Sequence, residues 1–174
     1  MNDPQFDDPP IVEVIWGAIE SHYPDFIGKT VLDIGCNRGY YSKLMAKKGA
    51  IVTAVDEKTF KTWGPKRGLV FIKGEIENVI DLLGDFDLIL CLNVFHHMLR
   101  VNHDRAWETM HILSSKTMKM IFMIKMRKDG LAKRLWGADP ERFLELFYEH
   151  TEFTHHEIIL GNSIYKGRDL WVFW

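Results

Sequence analysis

Apolar residues fall along this chain in short runs, the first two of which are followed by Gly35 and Asp56. The clearest runs lie at 31–34, 51–55, 69–72, 88–92 and 119–125. Runs of this length without polar alternation are typical of strands buried on both faces of a parallel sheet. Between them, apolar residues recur at helical spacing, as over 41–45, 76–83 and 104–113. The pattern predicts an α/β fold in which strands and helices alternate.

Two further helices are predicted from their start signals. Pro9 and Pro10 precede apolar residues at helical spacing and predict a helix that ends near His22, since proline is tolerated in a first turn. Asp139 followed by Pro140 is typical of a helix start, with the acid at the cap and proline at the first position. By contrast, 59–68 contains Trp63-Gly64-Pro65 and predicts a loop, with the crossover there reduced to a turn.

The end of the chain predicts two neighbouring strands, near 152–160 and 168–174. The intervening stretch, 161–167, is long enough to permit antiparallel pairing. Apolar side chains occupy both faces of the last run, so we expect that strand to be inserted between two others.

The stretch 31–42 reads V-L-D-I-G-C-N-R-G-Y-Y-S and predicts a buried strand, a glycine-bounded turn and a helix. Glycine allows positive φ and close approach of a ligand, and the helix directs free N–H groups at that ligand. The dinucleotide fingerprint G-x-G-x-x-G has a third glycine that is missing here, and Asp33 lies inside the strand. An acid at this point repels phosphate and suits a ligand with an ammonium and a sulfonium group.

These residues resemble the first motif of the class I S-adenosylmethionine-dependent methyltransferases. Three later stretches resemble the next motifs in order: Asp56 after the second strand, 71–75 ending at Glu75, and 85–98. The resemblance implies a single three-layer α/β/α methyltransferase domain over 29–174, with an N-terminal arm and lid helix over 1–28. It also implies a mainly parallel seven-stranded sheet in the order 3-2-1-4-5-7-6, with the last strand antiparallel.

The resemblance further implies S-adenosylmethionine as the cofactor. Its predicted binding residues are Asp33, Gly35, Cys36, Asn37, Gly39, Asp56, Glu75 and Asn93. Glu75 departs from the family, which usually has aspartate there. Trp16, on the predicted lid helix, is an aromatic that either faces the ligand or, as is commoner, packs in the core.

His96 and His97 lie near the end of the 85–98 stretch and are the candidate general bases, because a histidine near its ordinary pKa takes a proton at neutral pH. The alternative is that they form a structural wall of the acceptor pocket. Phe95, Arg127 and Arg168 are the candidate acceptor contacts, and Arg168 is suited to a carboxylate or phosphate. An arginine that only ties down a loop is the equal alternative for Arg168.

Cys36 and Cys91 are the only two cysteines. A disulfide between them, or a zinc site with His96 and His97, is open in principle, but the spacing does not match that of metal ligands. We therefore expect no metal. With two cysteines, no disulfide framework is indicated.

Composition narrows the remaining choices. The chain has 174 residues, 47% of them hydrophobic and 26% charged, and a formal net charge of −2, which fits one globular domain without a general attraction for nucleic acid. No apolar run is long enough to span a membrane, and the acidic, proline-bearing N-terminus does not resemble a signal peptide, so we expect a cytoplasmic protein without membrane partners.

The predicted function is methyl transfer to a small-molecule or anionic acceptor. Three alternatives remain open at this point: an RNA methyltransferase, a non-catalytic S-adenosylmethionine-binding regulatory subunit, and a nicotinamide-dependent oxidoreductase of similar architecture. Neither a protein partner nor the acceptor atom is indicated by the sequence, because fold does not determine the acceptor.

Overall fold

The computed structural model describes residues 9–61, 63–64, 66–125, 139–161 and 168–174. Its strands are β1 Thr30–Ile34, β2 Ile51–Asp56, β3 Leu69–Lys73, β4 Leu88–Leu92, β5 Met120–Lys125, β6 His156–Leu160 and β7 Arg168–Phe173. Its helices are α1 Pro9–His22, α2 Tyr40–Lys47, α3 Ile76–Val79, α4 Phe95–Val101, α5 His103–Ser115 and α6 Pro140–Glu149. Strands and helices alternate through most of the chain, as the hydrophobic pattern predicts.

The seven strands form one sheet in the order β3-β2-β1-β4-β5-β7-β6. Neighbours from β3 to β5 are parallel, while β7 is antiparallel to both β5 and β6. The predicted strand order and the inserted, reversed last strand are confirmed. All residues of β7 are buried, which explains why its apolar side chains occupy both faces.

Helices cover both faces of the sheet, and each face has its own apolar core. On one face, α1 and α2 contribute Ile15, Ile19 and Met45. On the other, α4, α5 and α6 contribute Phe95, Met110 and Phe147. The predicted three-layer architecture is therefore confirmed, and the helices leave the carboxyl ends of the parallel strands as the edge where a ligand can enter.

The helices differ from the prediction in two places. The helix expected over 76–83 is a single α turn followed by a 3₁₀ turn, Ile80–Leu82. The sequence did not predict α4, which begins at Phe95, within the 85–98 stretch that resembles the fourth motif. The basic stretch 130–137 lies outside the described residues. Within the described part of the chain, no helix has the length and apolar character needed to cross a bilayer.

Candidate functional site

A cavity of about 530 Å³ opens at the carboxyl ends of β1, β2 and β4. It lies where the strand order reverses, the place at which open α/β sheets bind ligands. Its volume falls in the range of small-molecule sites. Most of the predicted site residues line it: Asp33, Gly35, Cys36, Asn37, Asp56, Glu75, Asn93, His96, His97 and Arg168.

The turn between β1 and α2 forms the floor of this cavity in a left-handed backbone. Gly35, Asn37 and Gly39 have φ of 63°, 48° and 69°. A Cβ on Gly35 would overlap Cγ2 of Val94, and one on Gly39 would come within 2.6 Å of the Phe71 ring. Gly39 therefore packs on β3 and does not line the cavity itself, although it shapes the turn that does.

The carboxylate of Asp56 holds two backbone segments at the end of β2. Its Oδ2 accepts a hydrogen bond from the Asn37 N–H at 2.9 Å, and its Oδ1 accepts one from the Lys58 N–H at 2.9 Å. Because each carboxylate oxygen has a second lone pair, Asp56 retains acceptor capacity toward the cavity. It ties the glycine turn to β2 while its oxygens remain available to hydroxyl groups.

Asp33 is almost fully buried, with 3% of its surface exposed. Ser42, in α2, donates its hydroxyl hydrogen to Asp33 Oδ2 at 2.5 Å. Burial raises the pKa of the Asp33 carboxyl to about 7, and the nearby Asp56 adds to the rise, while the Ser42 hydrogen bond opposes it. Asp33 is thus an acid whose charge depends on what the cavity contains, since a cation beside it would lower this pKa.

We expect Asp33 to make the stability of the ligand-free protein depend on pH. Its folded-state pKa is raised, so the stabilisation is fully present below pH 4, is lost as the pH rises through about 7, and stays lost above it. The wild type should lose at most about 4 kcal/mol of unfolding free energy relative to Asp33→Asn across this window. Urea unfolding of both proteins between pH 4 and pH 9 measures the difference. Parallel pH profiles for the two proteins would contradict the assignment.

Two asparagines on the cavity wall present unpaired oxygens. Asn93, at φ 61°, donates from Nδ2 to Met123 Sδ at 3.0 Å, and its backbone N–H donates to the Met123 carbonyl. The buried Oδ1 atoms of Asn37 and Asn93 have no hydrogen-bond donor within the described residues. Because a buried amide oxygen without a donor is costly, both atoms are suited to receive N–H or O–H groups of a ligand.

His96 and His97 lie in the first turn of α4, with ring centroids 4.1 Å apart. Partial burial lowers the pKa of His97, and the guanidinium of Arg100 lowers it further, while Glu57 opposes the shift. The neutral ring therefore dominates at neutral pH, and the neutral ring is the form that accepts a proton. The structure brings both histidines to the cavity.

The three predicted acceptor contacts are placed differently. Arg168, at the start of β7, lines the cavity and is only 6% exposed. Phe95 is fully buried in the core, with its ring 4.7 Å from Trp107 and 5.8 Å from Phe122. It is not among the residues that line the cavity, and its role as an acceptor contact stays a prediction. Arg127 lies outside the described residues.

Side chains of both signs line the cavity wall. Four carboxylates come from the ends of β2 and β3 and the start of α3: Asp56, Glu57, Glu75 and Glu77. Arg38 comes from the glycine turn, Arg100 from α4 and Arg168 from β7, while Lys58 follows β2 and its Nζ lies 3.1 Å from Glu57. Glu75 also accepts a hydrogen bond from Asn78 Nδ2 at 3.0 Å. The cavity therefore offers several carboxylates and, at β7, a buried guanidinium.

Several wall residues were not predicted from sequence. Tyr40 and Tyr41 line the cavity from α2 in an edge-to-face pair, and Val12 lines it from α1. Val12 is the contact through which α1 reaches the site, and the role of α1 as a lid stays a prediction. Trp16 stacks on Phe26, with ring centroids 5.7 Å apart, and packs beside the core, which is the commoner of the two positions expected for it. The hydrogen bond that Ser42 donates to Asp33 was not predicted either. The nine-residue spacing between the two residues was the signal available in the sequence.

Among the described residues, the cysteines, acids and histidines do not converge on a metal-binding arrangement. Cys36 and Cys91 are both buried free thiols. Burial raises the pKa of the Cys91 thiol to about 12 and raises that of Cys36 as well. Across the residues that the structure describes, no group of three or more His, Cys, Asp or Glu side chains is placed to hold a metal ion.

Comparison with known proteins gives a consistent picture. Residues 32–115 match the profile of a family described as a methyltransferase domain. The chain is 30% identical over 130 residues to the O-antigen chain terminator bifunctional methyltransferase/kinase WbdD of Escherichia coli. The alignment covers 66% of this chain and 18% of that protein. It is 36% identical over 90 residues to a ubiquinone biosynthesis O-methyltransferase of Idiomarina loihiensis, covering 47% of this chain and 37% of that protein.

A solved structure has the same fold. The Burkholderia thailandensis 1,6-didemethyltoxoflavin-N1-methyltransferase, solved with 1,6-didemethyltoxoflavin and S-adenosylhomocysteine bound, has a TM-score of 0.66 and 21% identity, covering 97% of this chain and 78% of that one. At this identity the likeness establishes the fold alone. The chain spans well under half the length of the two curated relatives above.

Proposed function

Because its residues 32–115 match the methyltransferase-domain family and its sheet has the class I methyltransferase order, we propose that this chain is an S-adenosylmethionine-dependent methyltransferase acting on a small, anionic acceptor. The observation that supports the acceptor class most directly is the buried guanidinium of Arg168 on the cavity wall. Relatives named for ubiquinone biosynthesis and for 1,6-didemethyltoxoflavin support an acceptor of small size.

The residues present fit the cofactor. Asp56 has lone pairs available for ribose hydroxyls, and the unpaired amide oxygens of Asn37 and Asn93 accept from N–H or O–H groups. Asp33 supplies an acid whose charged form a sulfonium and an ammonium group favour. Glu75, after β3, lines the cavity, and we assign it a contact with the nucleoside. Nothing in this set favours pyrophosphate, which the carboxylates would repel.

When bound, S-adenosylmethionine supplies an electrophilic methyl group on a sulfonium that is already a good leaving group. The task of the protein is therefore to hold the acceptor in line and exclude water. We assign to His96 and His97 the removal of a proton from the acceptor, with the neutral ring of His97 favoured by its lowered pKa. Tyr40 and Tyr41 line the same cavity.

Arg168 sets the acceptor class. It is always charged, and a charge that is largely withdrawn from solvent attracts an opposite charge more strongly than it would in water. Its fork of N–H donors matches a carboxylate or a phosphate. Arg100, in α4, contributes a further cation to the cavity wall.

We expect a screen with radiolabelled S-adenosylmethionine to label small carboxylates or phosphates and to leave their neutral esters unlabelled. With the best acceptor, Arg168→Met should raise the acceptor KM about tenfold or more while cofactor affinity is retained, since charged hydrogen bonds contribute about 1.5–3 kcal/mol each.

His96→Ala and His97→Ala should instead lower kcat, by about 10² if either is the base.

The matched control for Arg168 is Arg142→Met, which removes an exposed arginine paired with Glu145 on α6. It should leave both KM values unchanged. Equal labelling of acids and esters, or an unchanged acceptor KM in Arg168→Met, would refute the anionic acceptor. Preferential labelling of RNA would do the same and favour the RNA alternative. Cofactor binding without labelling of any acceptor would instead favour a regulatory subunit.

A further inference from the structure

The connection between β2 and β3 contains a tryptophan that reaches the glycine turn. Trp63 donates its indole Nε1–H to the backbone carbonyl of Asn37 at 2.8 Å, across 26 positions of sequence. The ring is half-buried and stacks on Phe71 of β3, with centroids 4.6 Å apart and planes 11° from parallel. The Phe60 ring also lies beside the indole, with ring centroids 6.0 Å apart. The indole is thus held in place by two aromatic rings from its own connection and strand.

The same connection also holds the other side of Asn37. The Asn37 N–H donates to Asp56 at the end of β2, and the Asn37 carbonyl accepts from Trp63 seven positions later. Both backbone polar groups of one turn residue are therefore fixed by a single segment, 56–63. Asn37 has φ of 48°, a left-handed conformation that costs free energy in a residue with a Cβ and persists where the surroundings impose it.

Fixing the backbone also fixes the side chain. The Asn37 side chain lines the cavity, and its buried Oδ1 has no donor within the described residues. Were the Asn37 carbonyl released, the turn would be free to rotate and the side chain would leave that position. The donor on Trp63 therefore controls where an amide oxygen of the cavity wall points.

Resting on the proposed function, we propose that Trp63 is a positioning residue of the cofactor site. Its indole N–H and the Asp56 carboxylate clamp the Asn37 peptide, so that the glycine turn is already in its binding conformation before the cofactor arrives. Pre-organisation of this kind raises affinity by lowering the ordering cost of binding. Trp63 touches the turn and not the reacting atoms, so its effect belongs to cofactor affinity and not to the chemical step.

The test compares Trp63→Phe, which keeps an aromatic ring and removes the donor, with Trp174→Phe. Trp174 is 42% exposed and stacks on His155. It is far from the turn in sequence and follows β7, which is separated from β3 by four strands of the sheet. By calorimetry, Trp63→Phe should bind S-adenosylhomocysteine about fivefold more weakly than the wild type, and Trp174→Phe should bind within twofold of it. Without ligand, amide hydrogen exchange over 35–39 should be faster in Trp63→Phe alone.

An unchanged affinity together with unchanged exchange over 35–39 would overturn the proposal. So would a lowered melting temperature with unchanged affinity of the folded protein, which is the result a purely structural role gives. If Trp63→Phe does not fold, hydrogen exchange in the wild type still tests the proposal. The Trp63 indole proton should exchange with solvent more slowly than that of Trp174, and equal exchange rates would overturn the proposal. A wild type that fails to bind S-adenosylhomocysteine refutes the proposed function, and the exchange measurements still test the clamp separately.

Discussion

Replacing Gly35 with alanine is expected to abolish cofactor binding, with a loss of affinity beyond about 100-fold, and to destabilise the fold. Gly35 has φ of 63°, and its Cβ would overlap Cγ2 of Val94, which follows β4. Overpacking costs about 1–3 kcal/mol, and left-handed strain adds about 1–2 kcal/mol. Because β1 and β4 are neighbours, the overlap pushes the two walls of the cavity apart. Calorimetry with S-adenosylhomocysteine and urea unfolding measure the two effects.

A second-site change separates the two causes. In Gly35→Ala with Val94→Ala, the overlapping methyl is removed and only the Val94 Cβ remains, 3.3 Å from the new group. Part of the lost stability and affinity should return, leaving the backbone strain. Gly84→Ala is the matched control, because a Cβ there meets no atom within 4 Å. Wild-type affinity in the single variant Gly35→Ala would show that the turn does not form the floor of the cofactor site.

Asp56→Ala is expected to weaken S-adenosylhomocysteine binding by about 100-fold, because the side chain both holds the backbone and binds the ligand. It accepts hydrogen bonds from the Asn37 and Lys58 backbones, and it retains lone pairs for ribose hydroxyls. Hydrogen bonds to a charged group are worth about 1.5–3 kcal/mol each, and each 1.4 kcal/mol is a factor of ten in affinity. Calorimetry measures the change directly.

The control for Asp56 is Asp81→Ala, which removes an exposed acid from the 3₁₀ turn and changes the net charge equally. Affinity in that variant should match the wild type. A loss confined to stability, with affinity of the folded Asp56→Ala protein unchanged, would mean that Asp56 serves only the backbone. Asp56 would then have no part in holding the nucleoside.

Local signals in the sequence were sufficient for much of the fold. The continuous apolar run 88–92 is β4, residue for residue, because a central parallel strand excludes polar side chains. Asp139 accepts a hydrogen bond from the Glu141 N–H and Pro140 is the first residue of α6, as their types predict. The strand order came from the resemblance, since periodicity does not determine which strands are neighbours.

The sequence was insufficient where contacts between distant parts of the chain determine the structure. Phe95 and His96 are adjacent in sequence, but the unpredicted α4 turns successive side chains in different directions, so that one is core and the other faces the cavity. Trp63 was correctly placed in a loop, but its bond to Asn37 joins distant parts of the chain and leaves no local pattern. Asp33 was expected to act simply as an anion, whereas burial raises its pKa to about 7.

The central claim is that the acid-bearing turn after β1 receives a sulfonium nucleoside and not a dinucleotide. Titration calorimetry of the wild type with S-adenosylmethionine, S-adenosylhomocysteine and NAD tests it most directly. We expect one molecule of either sulfur compound to bind per chain, and NAD to give no binding heat. Binding of NAD with no binding of the two sulfur compounds would contradict the account.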